Sequence, residues 1–299
     1  MTEIAAAPSV RKRAAEMGID LEALARRTGR SAFTADDLAD GAAAEAPAAA
    51  PQAAPAHAAF WDVDHAAHGP VRTEPLSRID RAAALNLGAA NATIPQVTHH
   101  DRARVDALEE LRARAAPEAR ARGLRLTPLA FHVLALARAL AAYPRVNASL
   151  SPDGQSLILK DYIHIAIAVD TPHGLMVPVI RNADQKGLWD IAADIETLAA
   201  RARDRKLGPG DQGGASITIS SLGKTGGTAF TPLVNPPELA ILGLSATRTD
   251  PLWTGETWEP ARMLPLSLSY DHRAINGALA ANLATHIKSL IENPKDMML

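Results

Sequence analysis

The sequence predicts a mixed α/β domain preceded by a small helical unit. Three observations predict it. From about residue 103 onward, short apolar runs of strand length alternate with helical periods. One helical stretch, LAFHVLALARALAAY, is apolar almost all round, as a helix enclosed by its own domain is. An Ala/Pro-rich stretch separates this region from a shorter N-terminal segment carrying helix signals.

The elements follow in order. Within residues 7–40, Ser9 is placed to cap a first short helix and Gly18 to end it. Thr34 with Asp37 starts a second. So short a unit buries little core and is marginal alone. Its basic residues, Arg11, Lys12, Arg13, Arg26, Arg27 and Arg30, form either a docking face or an ordinary solvated one. Residues 41–58, GAAAEAPAAAPQAAPAHA, read as an extended, semi-rigid tether. Phe60, Trp61 and Val63 then suggest an arm that anchors on a surface. The expected organisation is a helical domain over 1–40, a linker over 41–58 and a large domain over 59–299.

In the large domain, Val105, Leu108 and Leu111 stripe a helix over 103–116. Thr127 and Pro128 open the apolar helix as cap and first residue, and His132 inside it reads as a core histidine. Strands are expected over 156–160, 162–169, 175–180, 216–220, 239–244 and 264–270, with helices over 191–204 and about 278–291. The apolar end, Met297, Met298 and Leu299, suggests a contact with another subunit.

Composition narrows the chemistry. A net charge of −2 gives no reason to expect a nucleic-acid or membrane partner. No apolar run approaches the length of about 18 residues that a membrane helix needs. The N-terminal residues lack an apolar signal core, so a cytoplasmic protein is expected. With no cysteine there is no disulfide, no thiolate metal site and no cysteine nucleophile. The histidines form no HExxH pattern, and the adjacent pair His99-His100 would point to opposite faces of a strand, so no metal is expected.

Three stretches carry candidate chemistry. In SLSYDHRAING, Ser267 to Gly277, a strand delivers His272 between an acid and a base. In SITISSLGKTGGTAFTPLVNPPELAILGL, Ser216 to Leu244, a strand ends in Ser220-Ser221 and runs into a glycine-rich loop. Small residues there allow close approach of a ligand, and a hydroxyl at a strand end is held well enough to donate to an oxyanion. The third stretch is AVDTPHGLMVPVIRNADQKGL, 168–188.

Together with PLSRI (75–79), IPQVT (94–98), NASL (147–150) and GGTAFTP (226–232), these stretches resemble the catalytic domain of the dihydrolipoamide acyltransferases. Those are the core subunits of the 2-oxo acid dehydrogenase complexes. The resemblance covers residues 60–299 and is closest to the acetyl-transferring members of pyruvate dehydrogenase. It implies a chloramphenicol acetyltransferase-like mixed-sheet sandwich. Residues 7–40 resemble the family's peripheral subunit-binding domain, although ARRTGRS (25–31) stands where the family has a glycine-rich loop. Gln96 stands where the family usually has histidine. No lysine here has the setting of a lipoyl lysine, so the resemblance implies either a lipoyl arm from another chain or a truncated sequence.

The resemblance implies acyl transfer between the sulfurs of dihydrolipoamide and coenzyme A, with no metal. His272 would be the base that takes the attacking thiol's proton and returns it to the leaving sulfur. Ser220 would donate to the oxyanion. Asn276 would hydrogen-bond at the site, since an amide carries no charge. Asp271 and Arg273 would fix the loop by pairing. Ser221, Gly226, Gly227, Thr231 and Pro232 would line the substrate channel; Ser221 alternatively caps the strand end, and Thr231 and Pro232 alternatively only shape the channel. Implied partners are two further copies in a homotrimer, a larger cubic or icosahedral core, 2-oxo acid dehydrogenase or dihydrolipoamide dehydrogenase subunits, and a separate lipoyl-domain protein. The alternative is a non-catalytic scaffold that keeps the fold and recruits partners. A third reading, acetylation of a small molecule, follows from the shared fold alone.

Overall fold

The computed structural model describes residues 5–16, 20–28, 30–34, 62–223 and 225–298. The chain divides into two compact units, Met1–Glu74 and Pro75–Leu299. In the first, β1 (Ala5–Ala6) pairs in parallel with β2 (Ala32–Phe33), and α1 (Pro8–Glu16) and α2 (Leu21–Thr28) lie between them in sequence. Among the described residues its buried core is Val10, Ala14, Leu24 and Phe33. The first helix starts at Pro8, so Ser9 lies inside it and does not cap it. Asp20 caps α2 by accepting from the Glu22 amide at 2.8 Å. Gly18, Asp37, the tether and the Phe60-Trp61 arm lie outside the described residues.

The second unit opens with α3 (Arg78–Thr93), started by a reciprocal capping box between Ser77 and Asp80. There follow β3 (Gln96–Arg104), α4 (Asp106–Ala121), α5 (Pro128–Ala142), the hairpin of β4 (Ala148–Leu150) and β5 (Leu157–Leu159), and β6 (Ile165–Ile167). The order continues with β7 (Val179–Ile180), α6 (Leu188–Arg203), β8 (Ile217–Ser221), β9 (Ala240–Leu244), β10 (Arg248–Trp253), β11 (Trp258–Asp271) and α7 (Gly277–Glu292).

Seven strands form one mixed sheet. The β6–β8 and β8–β9 pairs are parallel, and the other ladders are antiparallel. Strand alternation divides the sheet into two faces. Ile217 and Ile219 of β8, Leu242 and Leu244 of β9 and Leu266 and Leu268 of β11 join residues of α4 to α7 in the main core. As its sequence predicts, α5 is buried along nearly its whole length, His132 included. The opposite face carries Thr218, Ser220, Ile241, Gly243, Ser267 and Ser269. Ala90 of α3, Ile94 and Val234 cluster there on Ile241.

Several boundaries differ from expectation. The helix expected from 103 begins at Asp106, because residues 103 and 104 extend β3 against Leu264 and Met263 of β11. The strand expected over 162–169 keeps its ladder only at Ile165–Ile167, with one isolated bridge from Val169 to Met176. The run 175–180 pairs regularly only at Val179–Ile180, since Pro178 has no amide to donate.

Candidate active site

His272 follows the last residue of β11, where the strand turns into α7. Its backbone amide donates to the Pro95 carbonyl at 3.1 Å, and its exposed ring packs against Tyr270 with centroids 5.7 Å apart. The residues on either side clamp it. Asp271 has a side chain only 2% exposed and accepts from Arg273 Nη2 at 2.7 Å and from Arg273 Nε. That carboxylate also holds the Arg273 guanidinium's pKa above its ordinary value. The pairing expected of these two residues is therefore present. Asn276 caps α7, its side-chain carbonyl accepting from the Leu279 amide at 2.9 Å. Its amide NH2 is left to donate to a ligand.

Ser220 lies near the end of β8, opposite Gly243 of β9, which in turn lies opposite Ser267 of β11. Paired residues share a face, so Ser220 points away from helices α4 to α7. Ser221 points the other way and lines a cavity of about 270 Å³ with Ile167, Asp170, Ile195 and Leu198. Gly226 and Gly227 in the following loop have φ of 120° and 82°, values that favour glycine. The chain then folds back over the sheet as a strap. Phe230 and Pro232 lie on Gly243, and Val234 donates to the Gln96 side-chain carbonyl at 2.6 Å. Within the strap Pro232 is buried and Thr231 is exposed.

The register separates the two reactive groups. Ser220 and Ser267 sit at one level of the sheet, two strands apart, and His272 lies five residues further along β11. Strand rise and spacing then put the two α-carbons about 20 Å apart in one chain. His272, Asp271, Arg273 and Asn276 come together at one end of the sheet. Ser220, Ser221 and the glycine loop come together at the other.

Sequence reasoning missed Gly243, Phe230 and a buried acid. Glycine in the middle of the apolar run LAILGL is the signal that marks close approach to a strand. The acid is Glu238, 6% exposed, whose carboxylate accepts from Thr218 Oγ1 at 2.7 Å. Burial pushes its pKa up to about 7, against the pull of Thr218 and of the Lys160 charge. Lys160 donates to the Ala215 carbonyl at 2.9 Å, and burial lowers its pKa. Among the described residues no group of three His, Asp or Glu could hold a metal ion, and no helix is long and apolar enough to cross a membrane.

The family 2-oxoacid dehydrogenases acyltransferase (catalytic domain) matches residues 68–299. The chain is 42% identical over 303 residues to the dihydrolipoyllysine-residue acetyltransferase component of the pyruvate dehydrogenase complex of Azotobacter vinelandii. That alignment takes in 99% of this chain and 48% of the relative, so the chain spans about half the relative's length. Two solved structures match with TM-scores of 0.78 and 46% identity, each over 79% of this chain and 98% of its own. One is the dihydrolipoamide acetyltransferase of Azotobacter vinelandii, studied for the role of a serine, a histidine and an asparagine in its catalytic mechanism. The other is the cubic core of the pyruvate dehydrogenase multienzyme complex. With a domain match over most of its length and relatives at this identity, the chain belongs to the 2-oxoacid dehydrogenase acyltransferase family.

Proposed function

We propose that the chain transfers an acetyl group between dihydrolipoamide and coenzyme A, as the catalytic core subunit of a pyruvate-type dehydrogenase complex. The observation that carries this reading is the register that puts His272 and Ser220 at opposite ends of one sheet, about 20 Å apart by strand geometry. A site using both is incomplete in one chain and is completed when the serine end of a second copy meets the histidine end of the first. Head-to-tail contacts of that kind close into a ring, and a homotrimer is the ring proposed. The serine, histidine and asparagine named for the Azotobacter protein are spaced along it as Ser220, His272 and Asn276 are here, which supports the same three roles.

The residues divide the work. His272, exposed and fixed by its backbone and by the Asp271–Arg273 clamp, takes the proton of the attacking thiol. A new sulfur–carbonyl bond forms, and Ser220 of the neighbouring copy donates to the oxyanion that appears. His272 then returns the proton to the sulfur that leaves as the original thioester bond breaks. Both thiols belong to substrates, so a chain without cysteine is sufficient. Gly226, Gly227, Thr231 and Pro232 line the approach to Ser220, and Asn276 offers its NH2 beside His272.

The proposal extends to organisation: a subunit-binding domain over 1–40, a linker over 41–58 and the catalytic domain over 59–299. Trimers build a larger cubic or icosahedral core that holds the partner dehydrogenases. The experiment is transfer from acetyl-coenzyme A to free dihydrolipoamide. Wild type is expected to be active and His272→Ala to lose about 10²–10⁴ in rate. An assembled but inactive wild type overturns the enzyme reading in favour of the scaffold.

A further inference from the structure

Glu238 is the buried acid that the mechanism above leaves unused. It lies two residues before β9, and it bonds on the side of the sheet that carries Ser220. Thr218, its hydrogen-bond donor, and Ser220 stand two residues apart on the same face of β8, about 6–7 Å along the strand. The oxyanion would develop beside Ser220, so a charge on Glu238 falls within electrostatic reach of it. Burial keeps solvent from screening that charge.

The surroundings are sparse in charge. From β8, Thr218 donates to the carboxylate. From the segment after β5, Lys160 is the charged group that acts on it, its ammonium anchored on the Ala215 carbonyl two residues before β8. His164 comes next, in electrostatic contact with Lys160, and its Nδ1 accepts from the Asn182 amide. Pro237, on the other side of Glu238, is held by Ser149 Oγ donating to its carbonyl at 2.6 Å. With Glu238 neutral, the Lys160 cation is uncancelled on this side of the sheet. With Glu238 ionised, a negative charge is added where the reaction itself creates one.

We infer that Glu238 is a positioning residue for acyl transfer: bonded to Thr218 on the face that carries Ser220, its carboxyl leaves the Lys160 charge uncancelled while it is neutral, and loss of its proton slows the reaction. The inference rests on the acyl-transfer reading above. Burial, which pushes the carboxyl up to about 7, puts that loss inside the working pH range.

The test is the rate of acetyl transfer to dihydrolipoamide from pH 6 to pH 9, for wild type and Glu238→Gln. Every pH effect on the substrates and on the rest of the protein is common to both proteins and cancels in the ratio of rates. A unit charge some 8–10 Å from the oxyanion, at the effective dielectric of a protein site, is worth on the order of tenfold in rate. The ratio of variant to wild type is therefore expected to rise about tenfold between pH 6 and pH 9. A flat ratio overturns the inference. Thr218→Val gives a second readout if the glutamine variant does not assemble. Removing the hydroxyl that stabilises the carboxylate is expected to move the wild-type alkaline fall to higher pH, and an unmoved fall overturns the inference. A wild type inactive at every pH overturns the acyl-transfer reading and this inference with it. An active wild type with a flat ratio overturns this inference alone.

Discussion

Ser220 and Gly243 stand opposite each other in the parallel β8–β9 ladder, and the space a side chain would fill at residue 243 is taken by Phe230. A β-carbon there would lie 2.7 Å from Phe230 Cζ and 3.2 Å from Pro232 Cγ. The backbone at this glycine is extended, so the demand is for room and not for an unusual φ. The missing side chain lets the strap lie flat on the sheet beside the candidate oxyanion donor.

Gly243→Ala is expected to force the Phe230 ring off the sheet, destabilising the domain by about 1–3 kcal/mol as overpacking does. Denaturant midpoints at fixed protomer concentration measure this. Because the displaced strap carries Thr231 and Pro232, acetyl transfer is expected to fall further than stability. Adding Phe230→Ala is expected to recover stability, and a double variant no better than Gly243→Ala refutes the steric account.

Asp271→Asn removes the charge from the clamp around His272. The carboxylate receives three donors from Arg273, the backbone amide, Nε and Nη2. Charge-assisted bonds of this kind are worth about 1.5–3 kcal/mol when buried, and the half-exposed Arg273 brings the expected loss to about 1–2 kcal/mol. The His272 loop is expected to loosen, so the rate falls while the affinity for substrate at the Ser220 end changes little. Rates and KM for both substrates check this; a raised KM with an unchanged kcat contradicts it.

These two relationships differ in how far the sequence reveals them. The clamp is local, three consecutive residues, and its chemistry reads directly from Asp271-His272-Arg273. The Gly243 contact depends on register, joining β8, β9 and a returning strap across more than twenty residues, and no local pattern reports it. The helices legible in advance, α5, α6 and α7, have apolar positions that enter the main core. The helix α3 has little apolar stripe to read, being largely exposed, and its one local signal was the Ser77–Asp80 capping box. The strand β3, QVTHHDRAR, looks polar because Thr98 and His100 face Ser269 and Ser267 of β11 and bond to them at 2.7 and 2.9 Å. In β10, Pro251 disguises a strand whose six residues lie in antiparallel register with β11. The inter-chain part of the site is a property of two copies, and one copy's sequence shows only its halves.

His132 carries a pH dependence of stability. Burial in α5 lowers its pKa to about 4, from an ordinary 6.5. The folded protein therefore refuses a proton that the unfolded chain accepts between pH 6.5 and pH 4. The native state is at full strength above pH 6.5 in this respect, and loses about 3 kcal/mol as pH falls through that window. Urea midpoints at pH 7 and pH 4.5 are expected to differ by less in His132→Leu than in wild type. Equal differences would assign the acid sensitivity to other groups.

A site shared between copies has a signature that a site within one chain lacks. His272→Ala and Ser220→Ala are each expected to be nearly inactive when assembled alone, since every site then lacks one group. In a ring assembled from equal amounts of both, a site is intact when its histidine comes from the serine variant and its serine from the histidine variant. Random assembly makes that true of about a quarter of sites in a head-to-tail ring. Co-assembly is therefore expected to recover about a quarter of wild-type activity. A site using both groups of one chain recovers nothing on mixing, because every chain carries one defect. Acetyl transfer measured before and after co-assembly separates the two arrangements. Recovery also depends on subunit exchange, so simple mixing of preassembled rings is the control expected to stay inactive.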